Sequence, residues 1–128
     1  MKDVIATRNA PQAIGPYSQA VKVTSAGTML FCSGQIPIDP ATGEVVEPVA
    51  GVQARRVLTN LKAIVEAGGF TLEDVVKTTI YLKDMADFTS VNSIYESFFH
   101  GAFPARSTVE ASALPRGVLI EIDAIACR

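Results

Sequence analysis

Val118-Leu119-Ile120-Glu121-Ile122-Asp123-Ala124-Ile125-Ala126 is the stretch whose reading decides the fold. In an extended chain successive side chains point to opposite faces. Val118, Ile120, Ile122, Ala124 and Ala126 then make an all-apolar face, and Leu119, Glu121, Asp123 and Ile125 make a mixed one. The apolar face requires a covering layer. The mixed face is too apolar for open water and too charged for an ordinary core, which is the character of a sheet face that meets another subunit. The expectation is an oligomer with Glu121 near its interface.

Helices to cover the apolar face lie upstream. Val57, Leu61, Ile64 and Val65 recur at the spacing of one buried helical stripe, predicting a helix over Val49–Ala67 that Gly68-Gly69 would end. Val91, Ile94, Tyr95 and Phe98 repeat that spacing in a second helix, Met85–Phe99, with Asp84 as its N-cap and Gly101 closing it. Thr71-Leu72-Glu73-Asp74 caps a short turn, and Val75–Leu82 is rich in β-branched residues and reads as a strand. Further strands are expected at Ser18–Val23, Met29–Ser33 and Arg106–Glu110. The first two are read as a hairpin about Ser25-Ala26-Gly27, and Leu114-Pro115-Arg116-Gly117 separates the last two strands. Ala10–Pro16 and the proline-rich Gln35–Pro48 read as irregular. The order β, β, α, β, α, β, β predicts an α+β fold: a single-layer mixed sheet with two helices on one face.

The chain has 128 residues, 48% hydrophobic and 19% charged, enough apolar mass for one domain over 1–128. Its net charge of −2 offers no basic stripe, and with 3 Tyr, 6 Phe and no Trp no stacking platform emerges, so no nucleic-acid partner is expected. Met1–Val4 is followed by no long apolar run, so neither a signal peptide nor a membrane span is expected. Cys32 and Cys127 sit in apolar runs, as buried thiols of a reducing, cytoplasmic setting would. His100 is the sole histidine, and no paired ligand spacing accompanies it, so neither a metal nor a cofactor is expected. At a helix end it suits a capping or solvated role.

A few residues carry possible chemistry. Arg106, in Pro104-Ala105-Arg106-Ser107, presents a rigid fork suited to a small carboxylate, although an arbitrary arginine more often sits solvated on a surface. Glu121 interrupts a strongly apolar strand, where it serves either to deprotonate a water or to form an interface salt bridge. Asn92 shares a helical side with Phe88 and Tyr95, and a buried amide there suits pinning a neighbouring loop. Ser33 ends an apolar strand with no histidine in its segment, which suits hydrogen bonding rather than nucleophilic attack. Gly34 permits close backbone approach, and Tyr17 either lines a pocket or packs as an amphipathic surface ring.

At these residues the sequence resembles the Rid/YjgF family of reactive-intermediate deaminases over nearly its whole length. The resemblance rests on Ala13-Ile14-Gly15-Pro16-Tyr17-Ser18-Gln19-Ala20, on Ser33-Gly34-Gln35-Ile36-Pro37, and on the helix with Val91-Asn92 and Tyr95-Glu96. Its strongest part is Pro104-Ala105-Arg106-Ser107-Thr108-Val109-Glu110 followed by Ile120-Glu121-Ile122. It implies a chorismate-mutase-like fold, a homotrimer whose sheets form a central β-barrel, and active sites in the clefts between subunits. The implied reaction is hydrolysis of 2-imino acids, such as 2-iminobutanoate and 2-iminopropanoate, to 2-oxo acids and ammonia. Arg106 would clamp the substrate carboxylate and Glu121 would position water. Tyr17, Ser33, Asn92 and the backbone near Gly34 and Thr108 would shape the pocket. Many relatives carry cysteine where this chain has Thr108, and the loop His100-Gly101-Ala102-Phe103 is shorter than in several. An endoribonuclease or translation inhibitor, also reported for relatives, would need an electropositive groove that the net charge of −2 argues against. A non-catalytic sensor of small carboxylates would keep Arg106 without needing Glu121.

Overall fold

The computed structural model describes residues 2–25 and 27–128. Eight main elements follow in order: β1 Lys2–Ile5, β2 Ala20–Val23, β3 Met29–Gln35, α1 Ala50–Ala67, β4 Val75–Leu82, α2 Phe88–Phe98, β5 Ala105–Glu110 and β6 Ile120–Cys127. Four strands form a mixed sheet in the order β3-β6-β4-β5, antiparallel except for the parallel β4–β5 pair. No helix among the described residues is long and apolar enough to cross a membrane.

The expected face of β6 is the buried one. Ile120, Ile122 and Ala126 are fully buried and join Ala54, Val57, Leu58, Leu61 and Val65 of α1, Val91 and Tyr95 of α2, and Ile80 and Leu82 of β4 in one core. Both helices thus cover one side of the four-stranded sheet. On the other side of β6, Glu121, Asp123 and Ile125 stay half-exposed, and Phe31, paired in register with Ile125, is 69% exposed. Cys32 and Cys127 are buried free thiols. Burial, aided by the Asp123 charge, raises the Cys32 pKa and keeps that thiol protonated.

Two expectations are corrected. The strand expected at Ser18–Val23 shortens to β2, which pairs with β1 instead of forming a hairpin with β3. Ala26, in the expected turn, lies outside the described residues. The single sheet accordingly becomes a four-stranded sheet and a separate two-stranded one. The reason is local: β2 is four residues of exposed and half-buried positions, so no core face ties it to β3. The longer β3 pairs with the buried β6. Lys2–Ile5 is too short to show a period.

Elsewhere the boundaries move by a residue or a turn. Asp84 caps a short 3-10 turn, its side chain accepting from the Ala86 amide at 2.8 Å, and α2 proper begins at Phe88. Thr71 and Asp74 form the expected cap, with the Thr71 amide donating to Asp74 Oδ2 at 2.8 Å.

Candidate functional site

Arg106 lies near the start of β5, opposite Thr78 of β4, which in turn pairs with Ala124 of β6. Cross-strand partners share a face, so Arg106 projects toward the helices. There its Nη1 donates to Asn92 Oδ1 at 2.6 Å. The guanidinium carbon also lies 5.1 Å from the Tyr95 ring centre and 5.6 Å from those of Tyr17 and Phe88, within cation–π range of all three.

Each of these partners is placed by the local fold. Phe88, Asn92 and Tyr95 follow one another at i, i+4 and i+7 along one side of α2. The buried Tyr95 hydroxyl is 2.8 Å from Thr78 Oγ1, and its ring packs on Phe99 at 4.7 Å. Burial pushes the Tyr95 phenol up to about 12, so it stays neutral beneath the guanidinium. Tyr17 arrives on a loop bound to the β5 entrance: the Ser18 amide donates to Pro104 O at 3.1 Å and its hydroxyl to Phe103 O. Gly15, with φ +106°, turns that loop in a region that favours glycine, and a Cβ there would stand 3.6 Å from Asn92 Nδ2.

Arg106 therefore has aromatic faces and one neutral acceptor. Among the described residues no carboxylate lies within ion-pairing distance of it; the one ion pair found there is Lys62–Glu66 at 3.9 Å. Burial lowers the Arg106 pKa, with the Tyr95 and Tyr17 hydroxyls acting the other way. A guanidinium starts so far above neutral pH that it stays charged through such a lowering. A half-buried cation with unused N–H donors, and no counter-ion among the described residues, can receive an anion.

Glu121 sits elsewhere. It pairs with Tyr81 of β4, which pairs with Val109 of β5, on the sheet face away from the helices. Beside it β3 bulges: Cys32 pairs with Ala124 but Gln35 with Ile122, which leaves Ser33 and Gly34 in the irregular step. The Glu121 carboxylate lies over Gly34. A Cβ there would stand 2.8 Å from the Glu121 Cδ and closer still to Oε2, so the carboxylate takes its position because residue 34 has no side chain. One strand position along the same face, Asp123 accepts a 3.4 Å hydrogen bond from the Tyr81 hydroxyl and raises that phenol's pKa, chiefly by its charge.

The expected site residues thus fall into two groups. Arg106, Asn92 and Tyr17 meet on the helix side. Thr108, two residues beyond Arg106 on β5, shares that side, and its Oγ1 is buried without a hydrogen-bond partner. Glu121, Gly34 and the exposed Ser33 lie around the bulge. Arg106 and Glu121 are on strands two places apart, about 10 Å, and on opposite faces of the sheet. One chain does not bring them to a common small ligand. Phe88, Tyr95 and Thr78, which also meet around Arg106, are not among the residues that the sequence marks for chemistry. The signal for the first two was available, because a helical stripe of two rings flanking an amide, facing an arginine strand, is more than core packing.

Comparison with known proteins places these features in context. A family described as endoribonuclease L-PSP matches residues 7–128. A 2-iminobutanoate/2-iminopropanoate deaminase of Escherichia coli is 56% identical over 131 aligned positions, covering 100% of this chain and 99% of that protein. Among solved structures, one of the conserved Rid protein family from Yersinia pestis is 50% identical, covers 100% of both chains and superposes with a TM-score of 0.77. The Escherichia coli protein TdcF with bound serine is 46% identical, covers 98% of each chain and has a TM-score of 0.76.

Proposed function

The chain belongs to the endoribonuclease L-PSP family, the Rid/YjgF family of its sequence resemblance, and from that premise we propose that it hydrolyses 2-imino acids to 2-oxo acids and ammonia. The observation that carries this reading is Arg106, a half-buried guanidinium held by an amide and three rings with no carboxylate among the described residues to neutralise it. Every 2-imino acid has a carboxylate beside the imine carbon, whatever its side chain. A bidentate arginine fork recognises that invariant group. A solved relative that holds serine, itself a small carboxylate, supports the same reading.

In the reaction a water adds through oxygen to the protonated imine carbon while Glu121 takes its proton. Glu121 returns that proton to the adduct's nitrogen and takes the hydroxyl proton as the C=O forms and the C–N bond breaks; ammonia leaves with the bonding pair and carries that last proton away as ammonium, which resets the carboxylate. The electrophile is already activated, so positioning the carboxylate and one water is the main demand on the enzyme.

The placement of Arg106 and Glu121 on opposite faces supports a site that two copies complete. We read the assembly as a homotrimer whose central barrel covers the Phe31, Leu119, Glu121 and Ile125 face, with Tyr17, Ser33, Gly34, Asn92 and Thr108 lining clefts between subunits. The exposed Phe31 and the half-exposed acids support a covered face.

Two measurements test the proposal. A coupled assay generates the imine with an amino-acid oxidase or dehydratase and times release of the oxo acid with and without the protein. Co-refolding inactive Arg106→Ala and Glu121→Gln chains in equal amounts should then restore roughly a quarter of wild-type activity, the share of sites in a closed ring that take both intact groups. No imine turnover by the wild type ends the functional reading. Turnover by the wild type with no restoration in the mixture ends the shared-site reading.

A further inference from the structure

Resting on the reading of Arg106 as the carboxylate anchor, we propose that Asn92 is a positioning residue whose neutrality keeps that anchor available to the substrate. Asn92 Oδ1 is the hydrogen-bond acceptor that α2 offers to the guanidinium, at 2.6 Å. An aspartate has nearly the same shape and would accept the same hydrogen bond more strongly. It would also neutralise the cation and compete with the incoming anion. The rest of the surroundings follow the same rule: Tyr17, Phe88 and Tyr95 stabilise positive charge through their ring faces without bringing a counter-ion. The Thr78–Tyr95 hydrogen bond fixes the innermost ring. Asn92 also lies near the Gly15 turn of the loop that carries Tyr17, its Nδ2 3.6 Å from where a Cβ on residue 15 would stand.

Charge and shape predict opposite orders for two variants. If Asn92 merely holds structure, Asn92→Asp should resemble wild type and Asn92→Ala should be the worse. If its neutrality matters, Asn92→Asp should be the worse, because it keeps the geometry and quenches the charge.

The experiment is calorimetric titration of 2-oxobutanoate, a stable product-like carboxylate, into wild type, Asn92→Asp, Asn92→Ala and Arg106→Ala, alongside steady-state kinetics with the imine. Asn92→Asp is expected to weaken binding by at least about tenfold, and Asn92→Ala by only a few-fold, with kcat falling more than affinity as the fork loses its orientation. Asn92→Asp binding as well as Asn92→Ala, or better, overturns the proposal. If Asn92→Asp does not fold, Asn92→Ala decides alone: a few-fold loss supports the proposal, and a loss as large as that of Arg106→Ala overturns it. Equal binding by wild type and Arg106→Ala would instead overturn the anchor assignment on which the proposal rests.

Discussion

The two faces of the four-stranded sheet are built from the same strands and finished in opposite ways. The helix side is complete within one chain: β6 buries Ile120, Ile122 and Ala126 there, and a charged group on that side, Arg106, has its partners in place. The other side is left open. Phe31 and Met29 of β3 are 69% and 51% exposed, and Glu121 and Asp123 stand half-exposed among apolar neighbours. A single chain can organise a cation where it can surround it. The Glu121 carboxylate instead stands on the face that the single chain leaves uncovered.

The sharpest way to break this contrast is a charge on the open face. Phe31→Glu should leave the helix-side core folded, because the side chain points away from it, yet abolish assembly and with it all activity. Light scattering, circular dichroism and the imine assay read the three effects separately. An active trimer of this variant would show that the open face is not the interface.

Next in size is Glu121→Gln, which keeps shape and removes the base. Turnover should fall by about 10²–10⁴-fold while binding of 2-oxobutanoate changes little. Wild-type rates in this variant would reduce Glu121 to an interface residue.

Arg106 reports on the closed face. Arg106→Ala should lose the bidentate pair, and at roughly 1.5–3 kcal/mol per charge-assisted hydrogen bond kcat/KM should drop at least about tenfold. Arg106→Lys should also be badly impaired, because it keeps the charge without the fork. An imine lacking the carboxylate should barely distinguish these variants from wild type.

The smallest effect should come from Gly34→Ala. The added methyl displaces the Glu121 carboxylate, and misplacing a reacting group by about an ångström costs up to roughly 10²-fold. A fall of about tenfold in kcat, with affinity for 2-oxobutanoate kept, would join the bulge to the chemistry. Unchanged kcat would mean that Glu121 works from another position.

Much of this was legible in the chain itself. Helix periodicity located α1 within a residue, and the β-branched run located β4 with its bounds as observed, because burial of one face imposes a period that composition records. The alternation in β6 announced both the covered face and the unfinished one. Glu121 stood out as a charged group in an apolar strand, whereas Arg106 stood out only through its Pro104–Ser107 block and the family resemblance, since an arginine by itself reads as a solvated surface group. Pairing was less legible. The hairpin expected between β2 and β3 is replaced by β1–β2, because short exposed strands carry no face that selects a partner.

What the sequence by itself determined is the set of groups: an arginine fork, a glutamate, an amide between two rings, and a glycine beside a strand end. What only the tertiary structure decided is which of them meet. Strand register sends Arg106 and Glu121 to opposite faces, a bulge seats the carboxylate over Gly34, and α2 delivers Asn92 and the rings to the guanidinium. The physical reason is that side-chain direction in a strand follows local parity, whereas the face that parity selects is defined only once hydrogen-bonded neighbours and a packed layer exist.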